Sequence, residues 1–256
     1  MIPLFKSHYS IGKSILTLDA PSEAKEGAPS IVDIALSNGL KSIMLVEDSL
    51  SGFLEAKKRC DNHGLELRFG LRMAVGSLPS SKKGKKTDDC IHKIIIFAKN
   101  SDGCHLLNRL YSAAFTTSGG VIDIPSLKTF YNEKDLLIAI PFYDSFLFHN
   151  LFSYKKPCIL DHSFFKPLFF IEDNDLPFDK VLRNAVEEYC EANDLQIEFT
   201  KSIYYENRED FEAYQTYKCI CSRGFSSRAR TLDAPGLDHC ASPEFCFESY
   251  LDNESS

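Results

Sequence analysis

The sequence predicts an α/β domain built on a barrel-like, largely parallel sheet. Short apolar runs alternate with helical patterns for most of the 256 residues, as strand–helix repeats do. Counting these gives about six or seven units, which is compatible with a barrel-like α/β domain. Caps and glycine stops punctuate the helices where each unit should turn. No linker interrupts the pattern, so one domain over residues 1–256 is expected, with 251–256 as a tail.

Pro3 to Phe5 reads as a first short strand. Ser30 caps a helix with Ile31, Ile34, Ala35 and Leu36 on one side; Gly39 stops it, and Lys41 to Val46 reads as a buried strand. A second helix spans Gly52 to His63, burying Phe53, Ala56 and Cys60, and Gly64 leads into an apolar segment from Leu65 to Phe69. Residues 77–89 turn to Ser, Lys and Gly, with Lys82, Lys83, Lys85 and Lys86 in a solvated loop. Ile91 to Ala98 is the strongest strand, followed by a Ser101 or Asp102 cap and a helix through Leu106, Leu107, Leu110 and Ala114. Later strands are Leu136 to Ile140, Cys158 to Leu160, Leu168 to Ile171 and Gln196 to Thr200. Helices are expected over Phe178 to Ala192 and Glu209 to Ser222, and Ser242-Pro243-Glu244 reads as the cap and first turn of a short terminal helix.

Composition narrows the function. Lys plus Arg total 29 against 36 acidic residues, a net charge of 29 − 36 = −7, which argues against a broad face gripping nucleic acid. A local basic patch is compatible with weak nucleic-acid contact. No apolar run reaches the roughly 18 residues of a membrane span, and no signal peptide is read at the N-terminus, so a cytoplasmic protein without membrane partners is expected. Nine cysteines lie among hydrophobic neighbours, as buried thiols in a reducing compartment do. No Cys-x-x-Cys supports redox catalysis.

In α/β sheets the chemistry sits at the carboxyl ends of strands. Those positions hold Lys6, Ser7 and His8; Glu47 and Asp48; Gly70, Leu71 and Arg72; and Lys201, Ser202, Ile203 and Tyr204. A hydrolytic metal cluster needs imidazoles and carboxylates converging from several ends, and few are offered.

Three stretches, Phe5-Lys6-Ser7-His8, Leu45-Val46-Glu47-Asp48 with Gly52 beyond, and Gly64 through Phe69-Gly70-Leu71-Arg72, together resemble the N-terminal PHP (polymerase and histidinol phosphatase) domain of bacterial DNA polymerase III alpha subunits. Ile94 to Asn100 with Gly103, Leu106-Leu107-Asn108 and Leu110 to Ala113 is similar to a strand, turn and helix of that family. Thr200 to Tyr205, Asp210 to Ala213, Gly224-Phe225 and Ser242-Pro243-Glu244 are similar to its closing segment. The resemblance implies a distorted seven-stranded α/β barrel, a metal cluster in active members, and a setting in DNA replication.

The departures carry equal weight. Lys6-Ser7-His8 stands at the opening His-x-His, and Val46-Glu47-Asp48 at a Thr-Asp-His. Arg72 takes the place of an acidic ligand, Ser202-Ile203-Tyr204 that of the closing Asp-x-His, and near Phe169-Phe170-Ile171 a ligand is missing, with Glu172 and Asp173 just beyond. The resemblance thus leaves His8, Glu47 and Asp48 as a residual metal site or as strand-end hydrogen-bonding groups. Lys6 and Arg72 would form an anion pocket, since guanidinium binds phosphate oxygens in pairs.

The leading reading is a PHP-like module with a degenerate metal site, no cofactor, and a structural or protein-binding role beside a replicative polymerase or another replication protein. Nothing in the sequence resembles a polymerase palm or fingers. The alternative is a metal-dependent phosphoesterase or 3'-5' exonuclease using Zn or Mn, held by Glu172, Asp173, His149 or His162. Cys219, Cys221, Cys240 and Cys246 near His239 lack zinc-knuckle spacing and read as thiols. His63, His92, His105, His149 and His162 share no spacing and read as structural. The aromatic stretches Phe142 to Phe152 and Phe164 to Phe170 read as core and interface ahead of base-stacking surfaces.

Overall fold

The computed structural model describes residues 1–19, 27–76, 90–153, 157–221 and 238–254. The lysine-rich stretch 77–89 and Gly224-Phe225 lie outside these residues. The first helix, α1 (Ile31–Ser37), begins where expected because Ser30 accepts from Asp33 N. It leads from β1 (Ile2–Phe5) to β2 (Ser42–Glu47), and α2 (Phe53–Asn62) then leads to β3 (Glu66–Gly76). Gly39 and Gly64 follow the two helices at φ 66° and 70°, backbone that a side chain would strain.

β3 continues six residues past Gly70 and pairs antiparallel with β4 (Ile91–Ala98), Arg72 lying opposite Ile95. The expectation of a strand ending near Phe69 is therefore corrected: Arg72 is mid-strand. β4 is also antiparallel to β6 (Leu136–Ile140), so the sheet is mixed, and strict strand–helix alternation fails here.

The Ser101 or Asp102 cap is corrected by one residue. Asn100 is the N-cap of α3 (Ser101–Ser118), its side chain accepting from Gly103 N. β5 (Val121–Ile122), α4 (Ile124–Phe130) and α5 (Phe146–Phe152) emerge where no element was expected; each is too short for a clear period. Cys158 to Leu160 is not a strand. β7 (Leu168–Ile171), α6 (Asp179–Asn193), β8 (Gln196–Ile203) and α7 (Phe211–Cys221) complete the repeats. Ser242-Pro243-Glu244 forms a turn, Ser242 Oγ accepting from Glu244 N. The last helix, α8, starts at Phe247 and takes up Leu251–Glu254 of the expected tail.

Hydrogen bonding runs through the strands in the order β2-β1-β8-β7-β6-β4-β3-β5, and β2 also pairs with β3. Seven strands thus share one closed circuit of pairings, with β5 flanking β3. The chain forms two compact units: Met1–Phe69, Glu172–Asp179 and Phe199–Ser256 make the first, and Gly70–Ile171 with Lys180–Glu198 the second.

In the first unit β1 pairs in parallel with β2 and β8, Leu4 lying opposite both Met44 and Ser202. Phe5 stacks on Phe247 at 5.8 Å, and Tyr204 lies flat on Phe245 at 5.5 Å. The core of the second is Ile94, Ile96, Ile138, Phe142, Phe169 and Leu182, all buried, and Phe146 meets Tyr189 edge-on at 5.2 Å.

The second unit also explains the strand, turn and helix that run from Ile94 to Ala113. Lys99 N donates to Asp135 O at 2.8 Å, and Asn100 Nδ2 to Asp135 Oδ1 at 2.9 Å. A Cβ at residue 103 would lie 2.2 Å from Asp135 O, a backbone atom that cannot swing aside. Gly103→Ala is expected to destabilise the protein by about 1–3 kcal/mol, read as a lowered denaturant midpoint with an unchanged slope.

Candidate functional site

The first unit gathers the strand-end residues. Glu47, at the end of β2, is fully buried. Its carboxylate accepts from Ser7 N at 2.8 Å and from Ser10 Oγ, and Asp48 N donates to Ser10 Oγ at 3.0 Å. Burial raises the Glu47 pKa, and the Lys6 charge opposes that rise. Lys6 is 4% exposed, and its Nζ lies 3.3 Å from Asp48 Oδ1.

A second group has the same design. Glu172, just past β7, accepts from Ser202 N at 3.0 Å, Ser202 Oγ at 2.8 Å and Asn174 Nδ2 at 2.9 Å. Burial raises its pKa, and these hydrogen bonds resist. Beside it Lys201, 1% exposed, donates from Nζ to Asp173 O at 2.7 Å. Burial lowers the Lys201 pKa; the Glu172 charge is the largest opposing influence. The turn carrying Glu172 is braced because Asp179 accepts from Asn174 N at 2.9 Å and Leu176 N at 3.1 Å.

Among the described residues, His8, Glu47 and Asp48 do not bring donor atoms into a group of three within 4.8 Å of one another. The His8 ring lies 4.5 Å from the Tyr9 ring, and its buried Nδ1 has no hydrogen-bond partner. Arg72, in the second unit, donates from one guanidinium nitrogen to Asp144 Oδ2 at 2.9 Å and Tyr143 O at 3.1 Å. Of the other histidines weighed as ligands, His162 sits 6.4 Å from the Tyr189 ring and His149 faces a cavity with His92. Asp238, His239 and Cys240 do come together.

Sequence reasoning missed the burial of Lys201 and the parts played by Ser10 and Arg208. Lys201 and Ser202 fall at the end of β8, where the strand-end rule looks, but nothing local marks Lys201 as buried. Ser10 has no motif. Arg208, at an ordinary turn, donates to both Glu244 oxygens at 2.9 Å and to Asp252 Oδ2 at 2.8 Å, and its Nη1 lies 3.2 Å from Glu248 Oε1. It thereby fastens α8 to the turn before α7. The nine cysteines, expected as thiols, include one disulfide, Cys90–Cys158; the other seven are thiols.

No protein-family profile matches the chain, and no curated protein sequence matches it. One similar solved structure is the crystal structure of a proposed metal-dependent phosphoesterase from Bifidobacterium adolescentis. It has a TM-score of 0.36 and 11% identity, covering 78% of this chain and 87% of that chain. No helix among the described residues is long and apolar enough to cross a membrane.

The Arg208 cluster carries a pH dependence. The bidentate guanidinium holds the Glu244 carboxyl down at about 2, below its ordinary 4.5. A depressed acid stabilises the fold above its unfolded pKa, and this contribution fades as pH falls from about 5 towards 2. Thermal midpoints should therefore decline across that window. Arg208→Gln should lower the midpoint at pH 7, costing about 1–2 kcal/mol after allowance for its partial exposure, and flatten the decline.

Proposed function

We propose that the protein is a non-hydrolytic PHP-type module, in which lysine–carboxylate groups take the place of a metal cluster and the role is structural or protein-binding. The supporting observation is that two buried ammonium groups, those of Lys6 and Lys201, stand at the ends of paired strands. Cations already fixed there oppose a divalent ion, since like charges repel strongly where water is scarce. Glu47 and Glu172 are engaged by serine hydroxyls and backbone N–H groups, so their oxygens are aimed at protein donors. The donor set does not fit a zinc or manganese cluster, whose chemistry would be Lewis-acid activation of water.

Lys6 and Arg72 each neutralise an aspartate, Asp48 and Asp144, which favours internal pairing over the anion pocket. A replicative polymerase or another replication protein is the proposed partner on the resemblance alone. Pull-down with the full chain as bait tests it, and recovery of no replication protein overturns it.

The deciding assay is hydrolysis of a generic phosphate ester and of single-stranded DNA by the full chain with added manganese or zinc. No turnover above the metal-only control is expected, and manganese should leave the thermal midpoint unchanged. Metal-dependent turnover abolished by His8→Ala would overturn this reading in favour of a phosphoesterase.

A further inference from the structure

The second unit holds a separate set of soft donors. Cys90 immediately precedes β4, and His92 is its second residue. Cys158 lies beyond α5, and its backbone is clamped by the Asn150 side chain, which donates to Cys158 O at 2.9 Å and accepts from Cys158 N at 2.6 Å. As a result the two sulfurs and one His92 ring nitrogen all lie within 4.8 Å of one another. His92 Nδ1 is 3.8 Å from Cys90 Sγ.

His149, on α5, lines the same cavity of about 300 Å³ as His92. The Nε2 atoms of both rings are buried without a hydrogen-bond partner, a costly arrangement for polar atoms that a cation would relieve at His149.

We propose that Cys90, His92, Cys158 and His149 form a thiol-dependent zinc site, which the reduced chain fills with one ion and the Cys90–Cys158 disulfide closes. Two thiolates and two imidazoles are a common structural zinc set, with bonds of about 2.0–2.3 Å that place tetrahedral donors roughly 3.3–3.8 Å apart. Cys90, His92 and Cys158, already within 4.8 Å of one another, need only small side-chain rotations to reach that spacing, and His149, which shares a cavity with His92, is the proposed fourth donor. Soft thiolates select zinc over the hard cations of carboxylate sites.

Opening the disulfide takes two electrons and two protons. A monothiol such as glutathione supplies them, two molecules leaving as their own disulfide. Each cysteine thiol then releases its proton as zinc binds.

The test uses the full chain, reduced or disulfide-bonded, equilibrated with zinc, freed of excess and assayed for bound metal. The reduced chain should hold one more zinc than Cys158→Ser or the disulfide form, and cobalt in its place should give thiolate charge-transfer bands in the near ultraviolet. Equal zinc in all three, or none in the reduced wild type, overturns the proposal. His149→Ala should weaken zinc binding at least tenfold, and unchanged affinity overturns the four-donor assignment. If Cys158→Ser fails to fold, alkylation mapping of the wild type decides: zinc should protect Cys90 and Cys158 while exposed Cys221 still reacts, and equal labelling of the pair with and without zinc overturns the site.

Discussion

Two ammonium groups buried beside carboxylates govern the first unit. An isolated buried charge carries a desolvation cost of several kcal/mol, so Lys6 and Lys201 hold their places only because acidic groups and carbonyls lie within reach. Lys6 has Asp48 at 3.3 Å and the field of Glu47; Lys201 has Asp173 O at 2.7 Å and the field of Glu172. The glutamates are in turn held by serine donors, so each lysine, glutamate and serine constrains the others. Parallel pairing of β1 with β2 and β8 makes this possible, because it brings several strand ends to one edge.

The remainder of that unit is secured from outside the sheet. Arg208 answers three carboxylates at once, which shares one side chain's ordering cost among several contacts. The aromatic stack of Tyr204 on Phe245, with Tyr214 against both Tyr204 and Tyr205, supplies the apolar burial. The second unit relies more on hydrocarbon: β4 is buried between two antiparallel neighbours, and its soft sulfur and imidazole donors gather at the β4 end next to α5.

Much of the element map was legible because it is written in short-range chemistry. Ser30 and Gly39 bracket α1, and Gly64 ends the turn after α2. The apolar runs at Ile91–Ala98, Leu136–Ile140 and Leu168–Ile171 are strands with the expected bounds. The sheet's mixed direction was not legible, since an apolar run looks the same in either orientation. Two-residue β5 and seven-residue α4 and α5 carry too little periodicity to show. Of the candidate site, the strand-end rule picked out Lys6, Glu47, Asp48, Lys201 and Ser202, but whether these residues face metal, solvent or one another lay beyond any spacing.

The sequence by itself determined the ends of α1 and α2, the strands Ile91–Ala98, Leu136–Ile140 and Leu168–Ile171, and the place of Lys6, Glu47 and Asp48 at strand ends, because caps, glycine turns and apolar period act over a few residues. Only the tertiary structure decided that Ser202 answers Glu172 across 30 residues, that Arg72 is mid-strand and paired with Asp144, and that Cys90 meets Cys158 across 68. Charge pairing and ligand convergence depend on distances in space, and those are set by how the strands are ordered in the sheet.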